Sequence, residues 1–161
     1  MKIILFICLF FAGISIAQEQ TIMIGRTELK LGAEQETVLD LLDELYFVEY
    51  DQKNEYLFLI WDTEKRNYFY GTVEFDKSQK LNSISKNWSS TVNDSHSQLF
   101  EQLFELIDSY KSDGNIKVKT QEIFEPNYKA KTLSFMLDNK IIELTITGNR
   151  ITLKELLKET K

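Results

Sequence analysis

Residues 46–85 read YFVEYDQKNEYLFLIWDTEKRNYFYGTVEFDKSQKLNSIS, and this stretch decides the fold. Four runs rich in aromatic and branched residues (46–50, 55–61, 68–75 and 80–85) are divided by the polar turns 51–54, 62–66 and 76–79. Short β-formers interrupted by turn chemistry at such regular spacing describe an antiparallel meander. Alternation within 68–75 places Phe69, Val73 and Phe75 on one face and Tyr68, Tyr70, Thr72 and Glu74 on the other. Tyr46 and Tyr50 alternate with Phe47 and Glu49 in the same way, while 55–61 is apolar on both sides. If helices cover the Phe69/Phe75 face, then Tyr46, Tyr50, Tyr68 and Tyr70 form a tyrosine-rich opposite face.

Upstream, Thr21–Ile24 reads as a short strand or ordered arm. Val38, Leu41, Leu42 and Leu45 then fall at i, i+3, i+4 and i+7, with Glu34 and Glu36 in the first turn. One apolar stripe with acidic residues at its start predicts a helix near 34–45. Downstream, the polar segment 86–97 leads into Ser95-His96-Ser97-Gln98, which has capping-box spacing. Leu99, Phe100, Leu103, Phe104, Leu106, Ile107 and Tyr110 make one broad face, and Asp113-Gly114-Asn115 closes a second helix. Strands are expected at 116–124, 131–137 and 140–147, the last two alternating cleanly across Asp138-Asn139. Thr152-Leu153-Lys154-Glu155, with Leu153, Leu156 and Leu157, predicts a short final helix. The fold class expected is therefore α+β: two helix-plus-antiparallel-meander halves, residues 18–88 and 95–161, with the helices on one face of the sheet.

The first seventeen residues read as an address. Met1-Lys2 is basic, Ile3 to Ala12 is unbroken apolar sequence, and small residues at Ser15 and Ala17 precede Gln18. These are the marks of a secretory signal peptide, shorter than the roughly 20 residues that span a bilayer. The expected working molecule is residues 18–161 as a single domain, exported from a bacterial cell to periplasm or medium. Losing Lys2 takes the formal charge from −6 to −7. An acidic chain is a poor partner for nucleic acid or for anionic lipid. The only cysteine, Cys8, lies in the leader, so the mature chain has no disulfide, no thiol nucleophile and no lipid attachment point.

Residues 28–42 (ELKLGAEQETVLDLL) resemble the opening of the small outer-membrane-assembly lipoproteins of the SmpA/OmlA family, which are similar in fold to the β-lactamase inhibitor protein. The shared pattern is apolar-x-apolar-Gly, a few polar residues, then Val-x-x-Leu-Leu, followed by a meander. Gly71-Thr72-Val73-Glu74-Phe75-Asp76 and Leu81-Asn82-Ser83-Ile84 occupy the place of that family's hairpin, so the likeness covers about residues 28–85. The chain departs from the pattern in lacking a lipid-anchoring cysteine, in carrying Ala33 where methionine is favoured, and in lacking a glycine at 76–79. The resemblance implies an exported protein-binding module and brings no catalytic residue.

Chemistry-bearing residues are few. His96 is the only histidine, and neighbours along one helix terminus cannot form the fork of a Ser–His–Asp site. One histidine and no mature cysteine exclude the usual zinc sets, and 51–54 lacks the ligand spacing of a calcium loop. No Gly-rich phosphate loop or nucleophile elbow occurs. Neither catalytic residues, nor a metal, nor a cofactor is expected. Asn87-Trp88-Ser89 and Asn93-Asp94-Ser95 match the glycosylation pattern, which a Ser/Asn-rich loop also produces by chance. Glu49, Glu74, Glu101, Glu105 and Glu143 are the carboxylates that a glycosidase pair could draw on; solvated charge on the wet face of a helix and at outward strand positions is the better account of them. The candidate partner-binding residues are Tyr46, Tyr50, Tyr68, Tyr70 and Trp88, because tyrosine offers apolar area and a hydroxyl at low entropic cost. The sequence thus points to a non-catalytic protein that engages a protein or peptide partner. An envelope-polymer hydrolase and a self-associating structural protein, a homodimer at its simplest, stay open as alternatives.

Overall fold

The alternating runs become strands, and one antiparallel sheet gathers nearly all of them. The computed structural model describes residues 21–88, 96–110, 116–125, 128–148 and 150–158. In chain order the elements are β1 (Thr21–Ile24), β2 (Thr27–Lys30), α1 (Gln35–Asp43), β3 (Phe47–Asp51), β4 (Asn54–Trp61), β5 (Phe69–Phe75), β6 (Leu81–Asn87), α2 (His96–Tyr110), β7 (Lys117–Glu125), β8 (Tyr128–Met136), β9 (Lys140–Thr147) and β10 (Arg150–Lys158). β1 and β2 form a separate hairpin, and the other eight strands run in the order β3-β4-β5-β6-β10-β9-β8-β7. Each four-strand meander thus joins the other through its last strand, β6 against β10, with Ile84 opposite Leu157.

This corrects the α+β expectation: the protein is mainly β, with an eight-stranded antiparallel sheet, a two-stranded hairpin and two helices among the described residues. The largest single error is at residues 152–158. Leu153, Leu156 and Leu157 match a helical stripe, yet the segment is β10, paired on both sides. A strand flanked by two others fills the hydrogen-bonding capacity of its backbone, which outweighs a weak local helix preference. Leu153 and Leu157 then fall on one face and Leu156 on the other.

Two apolar clusters lie on the same face of the sheet. Over the first meander, Ile22, Ile24, Leu29 and Leu31 of the hairpin region and Val38 and Leu42 of α1 bury Ile60, Val73, Phe75, Leu81, Ile84 and Leu157. Over the second, Leu99, Leu103 and Leu106 of α2 bury Ile142, Leu144 and Leu153. The hairpin is fastened at its turn by Tyr46, whose hydroxyl accepts from the Arg26 amide at 2.7 Å and donates to the Ile24 carbonyl at 3.1 Å. Gly25 is needed there: its φ is +56°, and a Cβ would stand 2.2 Å from the Tyr46 hydroxyl. Residues 1–20, on which the expected leader falls, lie outside the described residues, as do 89–95, with Ser95, and 111–115, with Asp113-Gly114-Asn115.

Candidate functional site: the open face of the sheet

A β-bulge decides which aromatic residues reach the uncovered face. Along β4 and β5 the register runs Phe58 with Val73, Leu59 with Thr72 and Ile60 with Gly71, then shifts so that Trp61 faces Phe69. Tyr70 is the extra residue. An extra residue reverses the alternation beyond it. Phe69 therefore leaves the side of Val73 and Phe75 and joins Trp61, its ring centroid 4.8 Å from the indole. Trp61 is also opposite Phe47 of β3. Phe47, Trp61 and Phe69 thus form a row across three strands on the face opposite both helices.

Beyond the row the face mixes apolar, hydroxyl and charged side chains, Glu49, Glu74, Glu143, Lys154 and Lys158 among them. Leu57 and Leu59 follow on β4, opposite Glu74 and Thr72. Ser83 and Ser85 occupy the same face of β6, and Leu156 of β10 stands opposite both Ser85 and Ile141. Farther along, Thr132 and Thr145 share a hydrogen bond of 3.0 Å between their hydroxyls. Among the described residues no helix and no second sheet covers this face, since both apolar clusters use the other side. The buried Nε1 of Trp61 has no hydrogen-bond partner, so the row also carries one unsatisfied donor. Arg66 bounds the row, bonded to Glu49 at 2.8 Å with its guanidinium 5.6 Å from the Phe47 ring centroid.

The tyrosines do not share that face. Tyr46 and Tyr70 pack against the first apolar cluster and meet edge-on at 5.0 Å; Tyr68 extends the series, 4.6 Å from Tyr70. Tyr50 is opposite Phe58, on the helix side, and is 62% exposed. Trp88 lies in a different place again. Its indole donates to Glu155 at 3.2 Å, its ring lies 3.5 Å from Lys86 Nζ, and its amide bonds the Leu153 carbonyl.

Glu155 is the centre of a buried polar cluster on the helix side, where the two meanders meet. It is 4% exposed, pairs with Lys140 at 3.1 Å and accepts from the Tyr110 hydroxyl at 2.8 Å. Lys140, 9% exposed, also donates to Tyr110. Sequence reasoning missed these residues because 152–158 read as a helix, which scatters Glu155 away from Lys86 and Lys140. Burial holds the Lys86 ammonium below the ordinary lysine range, with Lys140 adding to the effect and Glu155 opposing it. An amine whose pKa is lowered by folding binds its proton more readily in the unfolded chain, so this contribution to stability improves as pH rises toward 10.5. Lys86→Met is therefore expected to gain on the wild type at pH 8 and to lose that advantage by pH 10.5, as urea midpoints will show.

Four of the five candidate carboxylates are singly partnered or exposed, and Glu143 stands opposite Lys154 of β10. Glu49 is held by Arg66, and Glu74 accepts from the Asn54 amide at 3.4 Å. Glu101 and Glu105 are exposed on α2. No group of three or more His, Cys, Asp or Glu side chains suited to a metal ion occurs among the described residues. Nor is any described helix long and apolar enough to cross a membrane. No protein-family model, no curated protein and no solved structure matches this chain.

Proposed function

We propose that this is an exported, non-catalytic binding protein that buries the open face of its sheet against a protein or peptide partner. One observation carries the reading: the cross-strand row Phe47, Trp61 and Phe69, continued by Leu57 and Leu59, lies on a face that no described element covers. Each large aromatic ring offers roughly 150–250 Å² of burial, and tryptophan anchors dominate the energetics of such contacts. Ser85 of β6 adds a hydroxyl on the same face, and Thr132 and Thr145 lie farther across it on β8 and β9. The leader and the SmpA/OmlA resemblance of residues 28–85 support an exported module of the same kind. The two helices brace the sheet from behind, so docking needs little rearrangement of the backbone.

Leu59→Lys tests this with little harm to the fold. The new ammonium would lie opposite Glu49 across β3 and β4, where an exposed pair is tolerated, but in the middle of the apolar band. Capture of partners from native envelope extract should fall at least about tenfold while the thermal midpoint moves by only a few degrees. Capture at the wild-type level would overturn the proposal.

A further inference from the structure

The two edges of the large sheet are built differently. β3 is five residues long, shifts register at Tyr50/Asp51, and is flanked by the Arg66–Glu49 bridge. Short length, a bulge and charge at the edge are the usual defences against pairing with another chain. β7 has none of the first two. It is nine residues long, pairs with β8 in unbroken register from Lys117 to Glu125, and is exposed throughout. It is the last strand of the sheet, so no described strand takes its outward backbone groups. Val118 and Phe124, 60% and 61% exposed, stand on its helix-facing side.

The sequence of this strand is complementary to itself reversed. We infer that two copies of this chain pair antiparallel along β7, about a two-fold axis through Gln121. Reflection about that residue sets Lys117 opposite Glu125 of the second copy, Val118 opposite Phe124, Lys119 opposite Ile123 and Thr120 opposite Glu122, each pair occurring twice. Opposite charges meet at both ends and Val118 meets Phe124 on one face, while Ile123 lies along the stem of Lys119 on the other. Moving the axis to Thr120 sets Val118 against Glu122, and moving it to Glu122 puts that carboxylate against its own copy. An axis between two residues sets inward-facing side chains against outward-facing ones. Only the Gln121 axis pairs opposite charges at both ends and Val118 with Phe124 on one face while using the whole strand. Between the Val118/Phe124 pairs lies a depression of about 240 Å³ lined by Thr120, Glu122, Lys131, Leu133, Leu144 and Ile146. The product is a continuous sixteen-stranded sheet with both open faces on the same side. The interface is independent of what binds the open face.

Charge exchange tests this directly by sedimentation velocity on the purified protein. The wild type should be a dimer at about 100 μM, since a strand pair with a small apolar flank suits a dissociation constant on the order of micromolar. Lys117→Glu alone and Glu125→Lys alone should each raise that constant at least tenfold. Mixing those two variants should restore the dimer as a heterodimer, because each end then pairs Glu with Lys, and the double variant should self-associate like the wild type. A monomeric wild type at this concentration, or single variants that dimerise as well as it does, would overturn the inference. The register has its own check. Gln121→Cys places two thiols directly opposite, within disulfide reach, whereas Thr120→Cys sets them roughly 8 Å apart and beyond it. Crosslinking at 120 in preference to 121 would refute the proposed axis. Because Leu59 lies on the other edge region of the sheet, loss of partner capture and loss of the dimer are separate readouts.

Discussion

Glu155→Ala is expected to lower unfolding stability by about 3–5 kcal/mol, the cost of leaving a buried charge without its partner. The carboxylate is enclosed at the junction of β6, β10 and α2 and is bonded to Lys140, Tyr110 and the Trp88 indole. Removing it strands the Lys140 ammonium, 9% exposed, with Tyr110 beside it and no negative charge among these contacts. Against a total of about 5–15 kcal/mol for a domain, that is a large fraction. The same reasoning predicts the outcome of removing both charges. Glu155→Leu combined with Lys140→Met should recover most of the loss, because apolar residues of similar size replace a desolvated pair at little or no cost. Urea unfolding of the three proteins decides it. A loss below about 1 kcal/mol for Glu155→Ala would mean that water reaches the cluster and that it is not a buried pair at all.

Gly71→Ala is expected to be the most damaging single methyl in the chain. Gly71 has φ +151°, a conformation that residues with a Cβ rarely adopt, and it sits where the β-bulge turns Tyr70 toward the core. A Cβ built there would lie 1.9 Å from the Ser85 carbonyl oxygen, an atom of the backbone of the adjacent strand. A side chain could swing aside, but a strand hydrogen-bonded in the middle of the sheet cannot. Strained backbone alone costs about 1–3 kcal/mol, and the overlap with β6 adds to it. We expect a loss of at least about 3 kcal/mol together with quenched or shifted Trp61 fluorescence, since the ring row depends on the same bulge. Gly32→Ala is the matched comparison. It also has positive φ, +80°, but its Cβ would meet nothing within 4 Å, so it should cost much less. Equal losses at the two positions would show that conformation rather than close approach sets the requirement at Gly71.

Strand reading worked where local pattern and environment agree. Residues 131–137 and 140–147 alternate because β8 and β9 each have one face under α2 and one open, and their expected limits lie within three residues of those observed. Residues 55–61 read as apolar on both sides, and in the structure Phe58 and Ile60 face the first cluster while Leu57, Leu59 and Trp61 line the open face. The candidate site was less legible. Alternation counted through 68–75 assumes an unbroken strand, so one bulged residue exchanged the places of Phe69 and Tyr70. Nothing in Tyr-Phe-Tyr-Gly announces that exchange except the glycine, whose need arises from the carbonyl of another strand.

What the sequence determined by itself is the set of local units: the amphipathic stripes of α1 and α2, the turns, the strand alternation, and a composition with one cysteine and one histidine. Those follow from periodicity and composition, which act over a few residues. The tertiary structure alone decided that 152–158 is a strand, that the two meanders join as one sheet, and that Glu155, Lys140 and Lys86 come together in its middle. Such outcomes depend on backbone hydrogen bonds and burial between residues dozens of positions apart, and a short window of sequence carries neither.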